Sequence, residues 1–158
     1  MSDTDRAVEL FERACAARHG GRLDEAAALF LQSIEARPTA EAHTFLGWTY
    51  SASGRYIEAI AECKKAIAVD PDFGNPYNDI GSYLIKLERH EEAIPWLEKA
   101  KHARRYEPRQ FPHMNLGRIF VKQGKWWDAL REFEAAVRVA PTDAGAAKAL
   151  HSLRARLN

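Results

Sequence analysis

Four small residues recur along this chain at nearly even intervals: Ala26, Ala59, Ala93 and Ala129, separated by 33, 34 and 36 residues. Three further columns keep the same register. They are Ala14, Gly47, Gly81 and Gly117; Gly21, Gly54, Glu88 and Gly124; and Pro38, Pro71, Arg105 and Pro141. A lone Gly or Pro would mean little. Four columns that shift together define an internal repeat, and a unit of this length cannot bury its own apolar face without a neighbour.

Each column has a physical reading. Between the columns, apolar residues recur three and four apart, the spacing of one helix face. Examples are Leu46, Tyr50, Tyr56 and Ile60, then Leu116, Phe120, Trp126 and Phe133. Each unit therefore reads as two helices, A and B. The Ala/Gly pair lets A and B cross closely, where a larger side chain would overpack. The Gly after helix A suits a left-handed cap. The Pro ends helix B, because it has no N–H and biases the preceding residue away from the helical region.

The stretch 40–71, AEAHTFLGWTYSASGRYIEAIAECKKAIAVDP, carries Leu46-Gly47, Tyr50, Gly54, Tyr56, Ala59, Ala66 and Pro71 at fixed offsets. That pattern resembles the tetratricopeptide repeat, and the resemblance runs over nearly the whole chain. It implies an all-α, right-handed α-solenoid of four helix–turn–helix repeats, at about 7–39, 40–73, 74–109 and 110–143, forming a single domain. The segment 144–158 places Ala147, Leu150, Leu153 and Leu157 on one face and is expected to be the polar-backed capping helix that such arrays need.

Local signals refine the picture. Ser2 or Thr4 can cap the first helix and Thr39 the third. Asn75-Pro76 reads as a cap followed by Pro at the first helical position. Glu88 stands where the turn Gly belongs, so a left-handed residue there is strained. The tail of the third repeat, HARRYEPRQFP, is two residues longer than the others and lacks the Pro at Arg105. Its helix B is expected to run on by about half a turn.

Chemistry finds few footholds. The formal charge of +1 gives no global pull on nucleic acid or anionic membrane. No apolar run approaches a membrane span, and no apolar leader core opens the chain. Cys15 and Cys63 have no CxxC partner, which argues against a zinc site or a disulfide scaffold. A cytoplasmic protein is the expectation. There is no nucleophile elbow, phosphate loop or metalloprotease motif, so no enzyme, cofactor or metal is expected. His43 and His113 share one repeat position, which favours packing over metal binding. The basic residues Lys99, Lys101, His102, Arg104, Arg105 and Arg109 form a real cluster. They read first as a solvated helix end and second as a docking patch for an acidic partner.

In the family that the chain resembles, helix A of each repeat lines a concave groove that binds proteins or peptides. Stepping 100° per residue away from the core face selects Phe11, Cys15, Phe45, Trp48, Asn78, Asp79, Ser82, Phe111, Met114, Asn115, Arg118 and Lys122 as groove residues. Trp48 is the expected anchor, its ring mostly in solvent, with Phe45 and Phe11 beside it. The competing reading is that the Phe rings only pack between successive A helices. The family's carboxylate clamp for chaperone tails uses a Lys and an Asn on the first A helix, an Asn on the second, and a Lys and an Arg on the third. Those positions hold Phe11, Cys15, Phe45, Asn75 and Asp79 in one frame, and Thr44, Trp48, Asp79, Phe111 and Asn115 in the frame one repeat further on. Neither set contains a single cation, so the resemblance does not extend to that clamp. The sequence thus points to an adaptor or scaffold holding a peptide or amphipathic helix in a partly hydrophobic groove, as a monomer or weak homo-oligomer. A subunit that self-assembles through its ends is the alternative.

Overall fold

A computed structural model describes residues 1–158 and shows nine helices. They are α1 (Asp3–His19), α2 (Leu23–Ala36), α3 (Ala40–Ala52), α4 (Tyr56–Val69), α5 (Asn75–Lys86), α6 (His90–His102), α7 (Gln110–Lys122), α8 (Trp126–Val139) and α9 (Ala144–Leu157). Odd-numbered helices take the A role and even-numbered ones the B role.

The starts and stops follow local chemistry. Ser2 accepts from the Asp5 N–H while Asp5 accepts from the Ser2 N–H, a reciprocal capping box on α1. Thr39 caps α3 and Asp143 caps α9 through their side-chain oxygens. Asn75 does not cap α5: the cap is Gly74, and Asn75 is already helical, one place ahead of Pro76. The turn column is left-handed throughout, with φ of 77° at Gly21, 76° at Gly54 and 70° at Gly124. Glu88 adopts the same conformation, at φ 60°. Helices α2, α4 and α8 stop two residues before Pro38, Pro71 and Pro141.

The small-residue column sits where helix pairs cross. A Cβ on Gly81 would lie 2.4 Å from the Leu97 side chain, and one on Gly117 would lie 2.3 Å from the Phe133 ring. Ala14, Ala26, Ala59, Ala93 and Ala129 are all fully buried. Three core clusters follow one another along the array. Leu10, Phe30 and Leu46 mark the first, Ile60, Ile80 and Leu97 the middle, and Phe133, Leu150 and Leu153 the last.

Each A helix packs on its own B helix, and each B helix on the next A helix. Successive A helices also touch: α1 with α3, α3 with α5, α5 with α7, and α7 with α9. No two B helices do. Elements that approach on one side and diverge on the other describe a curve, so the A helices form its inner face. This is the α-solenoid that the repeat columns predict.

The third repeat departs from expectation. Helix α6 does not run on; it ends at His102, and residues 103–109 turn away as a strap. The reason lies far off in sequence. Tyr106 is buried against Gly74, where any Cβ would lie 2.4 Å from the Tyr106 Cβ. The Gly74 N–H donates to the Arg105 carbonyl and the Arg105 N–H to that of Asp72, both at 2.9 Å. Arg105 then reaches Glu41 at 3.1 Å and Asp70 at 2.5 Å. These contacts replace the helical bonds that a longer α6 would have made.

Candidate functional site

The inner face is built from one stripe of each A helix. In α3 the stripe is Glu41, Phe45, Trp48 and Ala52; in α5 it is Asn75, Asp79, Ser82 and Lys86. In α7 it is Phe111, Asn115, Arg118 and Lys122, and in α9 Gly145, Ala149, Ser152 and Arg156. Most of the groove residues expected from sequence fall on or beside this stripe. Two do not present themselves to solvent. Met114 is buried in the last core cluster, because α9 packs over it. Asn78 is buried and accepts a 3.0 Å hydrogen bond from the Asn115 amide, tying α5 to α7.

The aromatic residues form a connected chain. The Phe11 ring meets Phe45 edge-on at 5.1 Å and the buried Phe30 at 5.6 Å, and Phe45 meets Trp48 at 4.5 Å. Phe11 and Phe45 therefore do pack between α1 and α3, while remaining half-exposed. Trp48 differs from expectation in being half-buried. Its indole N–H donates to the Asp79 carboxylate, which links α3 to α5, and the Arg18 guanidinium lies 5.7 Å over its ring. Burial pushes the Asp79 carboxyl up to about 7, with the Trp48 N–H pulling the other way. Arg18 Nε and the Tyr83 hydroxyl are buried without a hydrogen-bond partner.

The histidine column has a structural role. His43 Nδ1 lies 2.7 Å from the Glu62 carboxylate, and His113 Nδ1 lies 2.7 Å from that of Glu132. A carboxylate only accepts, so Nδ1 carries the proton in both pairs. Burial raises the two carboxyls, but hydrogen bonds from His43 and Lys65, and from His113 and Lys101, outweigh it and hold both below the usual range. The signal was present in the sequence: both pairs are 19 residues apart, at one position of repeats two and four. The same positions hold Leu10 with Leu29 and Tyr77 with Trp96 in repeats one and three.

The basic cluster is largely committed within the chain. Lys101 pairs with Glu98 and Glu132, Arg105 with Glu41 and Asp70, and Arg109 donates to the carbonyls of Lys101 and Ala103. Lys99 lies 4.9 Å over the Trp96 ring. Burial raises the thiols of Cys15 and, more strongly, Cys63, which makes both poor nucleophiles. No group of three or more His, Cys, Asp or Glu is placed to hold a metal ion. No helix is long and apolar enough to cross a membrane.

Stacked helix pairs with a curved inner face of aromatic, polar and cationic side chains define the class: a helical-repeat protein. The family follows from comparison. The tetratricopeptide-repeat profile matches residues 11–73, 46–108 and 114–157, and the chain belongs to that family. Among curated proteins it is 36% identical over 96 residues to the protein SGT1 homolog of Oryza sativa subsp. japonica, matching 60% of this chain and 26% of the relative. It is 28% identical over 120 residues to the type IV pilus assembly protein PilF of Pseudomonas aeruginosa, matching 75% of this chain and 48% of the relative. The chain thus spans between about a quarter and about half of the length of these curated relatives. A solved Pseudomonas aeruginosa PilF structure superposes with a TM-score of 0.88 at 22% identity, covering 98% of this chain and 70% of that one. YrrB, a tetratricopeptide-repeat protein described as having an unusual peptide-binding site, gives 0.71 at 24% identity, covering 95% and 77%. At such identities the superpositions speak for the fold.

Proposed function

We propose that this chain is an interaction scaffold whose four helix pairs and α9 act as one domain holding a segment of another protein along the inner face. The observation that carries the reading is the chain of half-exposed rings, Phe11, Phe45 and Trp48, on a surface that repeat packing leaves uncovered. Clustered exposed aromatics mark interaction sites, and Trp is a frequent hot spot. The peptide site of YrrB and the assembly role in PilF's name are consistent with such a use. The unpaired thiols of Cys15 and Cys63 support a cytoplasmic setting.

Because Trp48 also bridges α3 to α5, Trp48→Ala would confound binding with stability. The test is a photo-crosslinking side chain at Ser82 or Phe111, on the inner stripe, against one at Ile57 or Trp127, exposed at the start of B helices. Discrete adducts with a second protein from the inner positions alone are expected. Adducts from the outer positions alone would refute the reading.

End-to-end self-association is supported by a separate observation. Helix α9 has Lys148, Arg154 and Arg156 and no acidic residue, whereas α1 sets Asp3, Asp5, Glu9 and Glu12 against Arg6, Arg13 and Arg18 and is slightly acidic on balance. Light scattering over a concentration series at low and high salt checks it: a salt-sensitive rise in mass supports a head-to-tail contact, and a constant monomer refutes it.

A further inference from the structure

The inner stripe changes character at its C-terminal end. At the repeat positions where α3 carries Phe45 and Trp48, α9 carries Ala149 and Ser152. Rings fill the space between α1 and α3. Between α7 and α9 the small side chains leave a recess of about 420 Å³. Its floor is apolar, with Ile119, Phe133 and Leu153 contributing the edge of the core and Val121 lying beside them. Its rim is cationic, from Arg118, Lys122 and Arg156, and no Asp or Glu lines it.

These cations are lightly held. Arg118 donates to the Asn115 amide oxygen at 3.2 Å and meets no carboxylate. Arg156 lies 4.8 Å over the Trp126 ring and likewise has no acidic partner. Lys122 sits 3.8 Å from Glu88, both exposed, a pairing that solvent weakens. His90, which also lines the recess, has a buried Nε2 with no hydrogen-bond partner and the Glu88 carboxylate 3.9 Å away.

We propose that this recess takes a bulky apolar side chain from a partner protein segment whose neighbouring residues are Asp or Glu. The inference rests on the inner face being a docking surface and narrows it to one end and one partner chemistry. The floor rewards removal of an apolar side chain from water. Carboxylates on either side of it find cations with open donors, and Arg can hold a carboxylate through two parallel N–H groups. A basic segment would be rejected by the same rim.

Fluorescence anisotropy of the full chain with three labelled peptides tests this. The first has Leu and Phe flanked by Glu, the second has each Glu changed to Lys, and the third has the apolar residues changed to Ser. The first should bind, more weakly at high salt, and the other two at least about tenfold less tightly, a difference of about 1.4 kcal/mol. Arg118→Glu should weaken the first peptide by a similar factor. Ser152→Trp, which fills the recess with the ring that α3 carries, should abolish its binding. Ser152 and Arg118 are exposed, so both variants should keep wild-type melting. No binding of the first peptide, equal binding of the Lys peptide, or full affinity in Ser152→Trp would overturn the assignment. Crosslinks from Ser82 alongside such a result leave the inner-face reading standing, whereas crosslinks from Ile57 or Trp127 alone defeat that reading itself.

Discussion

Glu88 occupies a backbone conformation that its three counterparts give to glycine. A left-handed residue with a Cβ costs about 1 kcal/mol or somewhat more, and the side chain gains little in return, since its contact with Lys122 is exposed. Glu88→Gly should raise stability by about 1 kcal/mol, less the entropy that Gly adds to the unfolded chain. A thermal melt measures it, and a lowered Tm would show that the Glu88 side chain does more than its contacts suggest. Asp79 makes a second expectation at this scale. An unfolded Asp titrates at about 3.9, whereas folded Asp79 is pushed up to about 7. Between those values the folded state keeps a proton that the unfolded state has lost, so stability falls as pH rises. Glu62 and Glu132 act with the opposite sign. Their depressed values add stability that is complete above about pH 4.5 and is lost below it. Asp79→Asn should therefore flatten the decline in Tm between about pH 4 and pH 7 while leaving the acid limb in place. Equal slopes in wild type and variant would mean that the Asp79 carboxyl is not held as the structure shows.

At the scale of elements, the strap and the last helix invite separate measurements. Tyr106 fills the space that Gly74 leaves, so Tyr106→Ala opens a void and frees residues 103–109; it should cost about 3 kcal/mol in denaturant titration. A loss below about 0.5 kcal/mol, the range of ordinary surface changes, would show that the strap is held elsewhere. Removal of 144–158 strips Leu150 and Leu153 from the cluster containing Phe133 and Met114. Aggregation or loss of helical signal should follow, and a monomeric, equally stable truncation would deny α9 its capping role. These two elements differ in how legible they were. Helix α9 was readable because its Leu spacing is local. The end of α6 was not, because HARR is compatible with helix and the stop signal is a Tyr that packs on a glycine more than thirty residues away. The turn and crossing columns were readable because geometry at each admits few residue types. The groove was readable only as a face. That Trp48 would spend its N–H on Asp79, or that Met114 would lie under α9, depends on neighbours that helix periodicity does not locate.

At the scale of the whole molecule, three core clusters in a row make stability a sum of local terms and neighbour contacts. Amide hydrogen exchange should then be graded, with α1 and α9 opening at lower free energy than α4 and α5. Uniform protection from end to end would point instead to one all-or-none unit. The strap adds an asymmetry to this gradation. By joining the loop at 70–74 to the loop at 103–109, and reaching Glu41 besides, it braces two successive turns of the array from their rim. Considered as a spring, the molecule has one stiffened coil and softer coils on either side. A load applied at its two ends would stretch the first and last coils before the braced one, so a long ligand lying in the curve would meet a firm middle and ends that give.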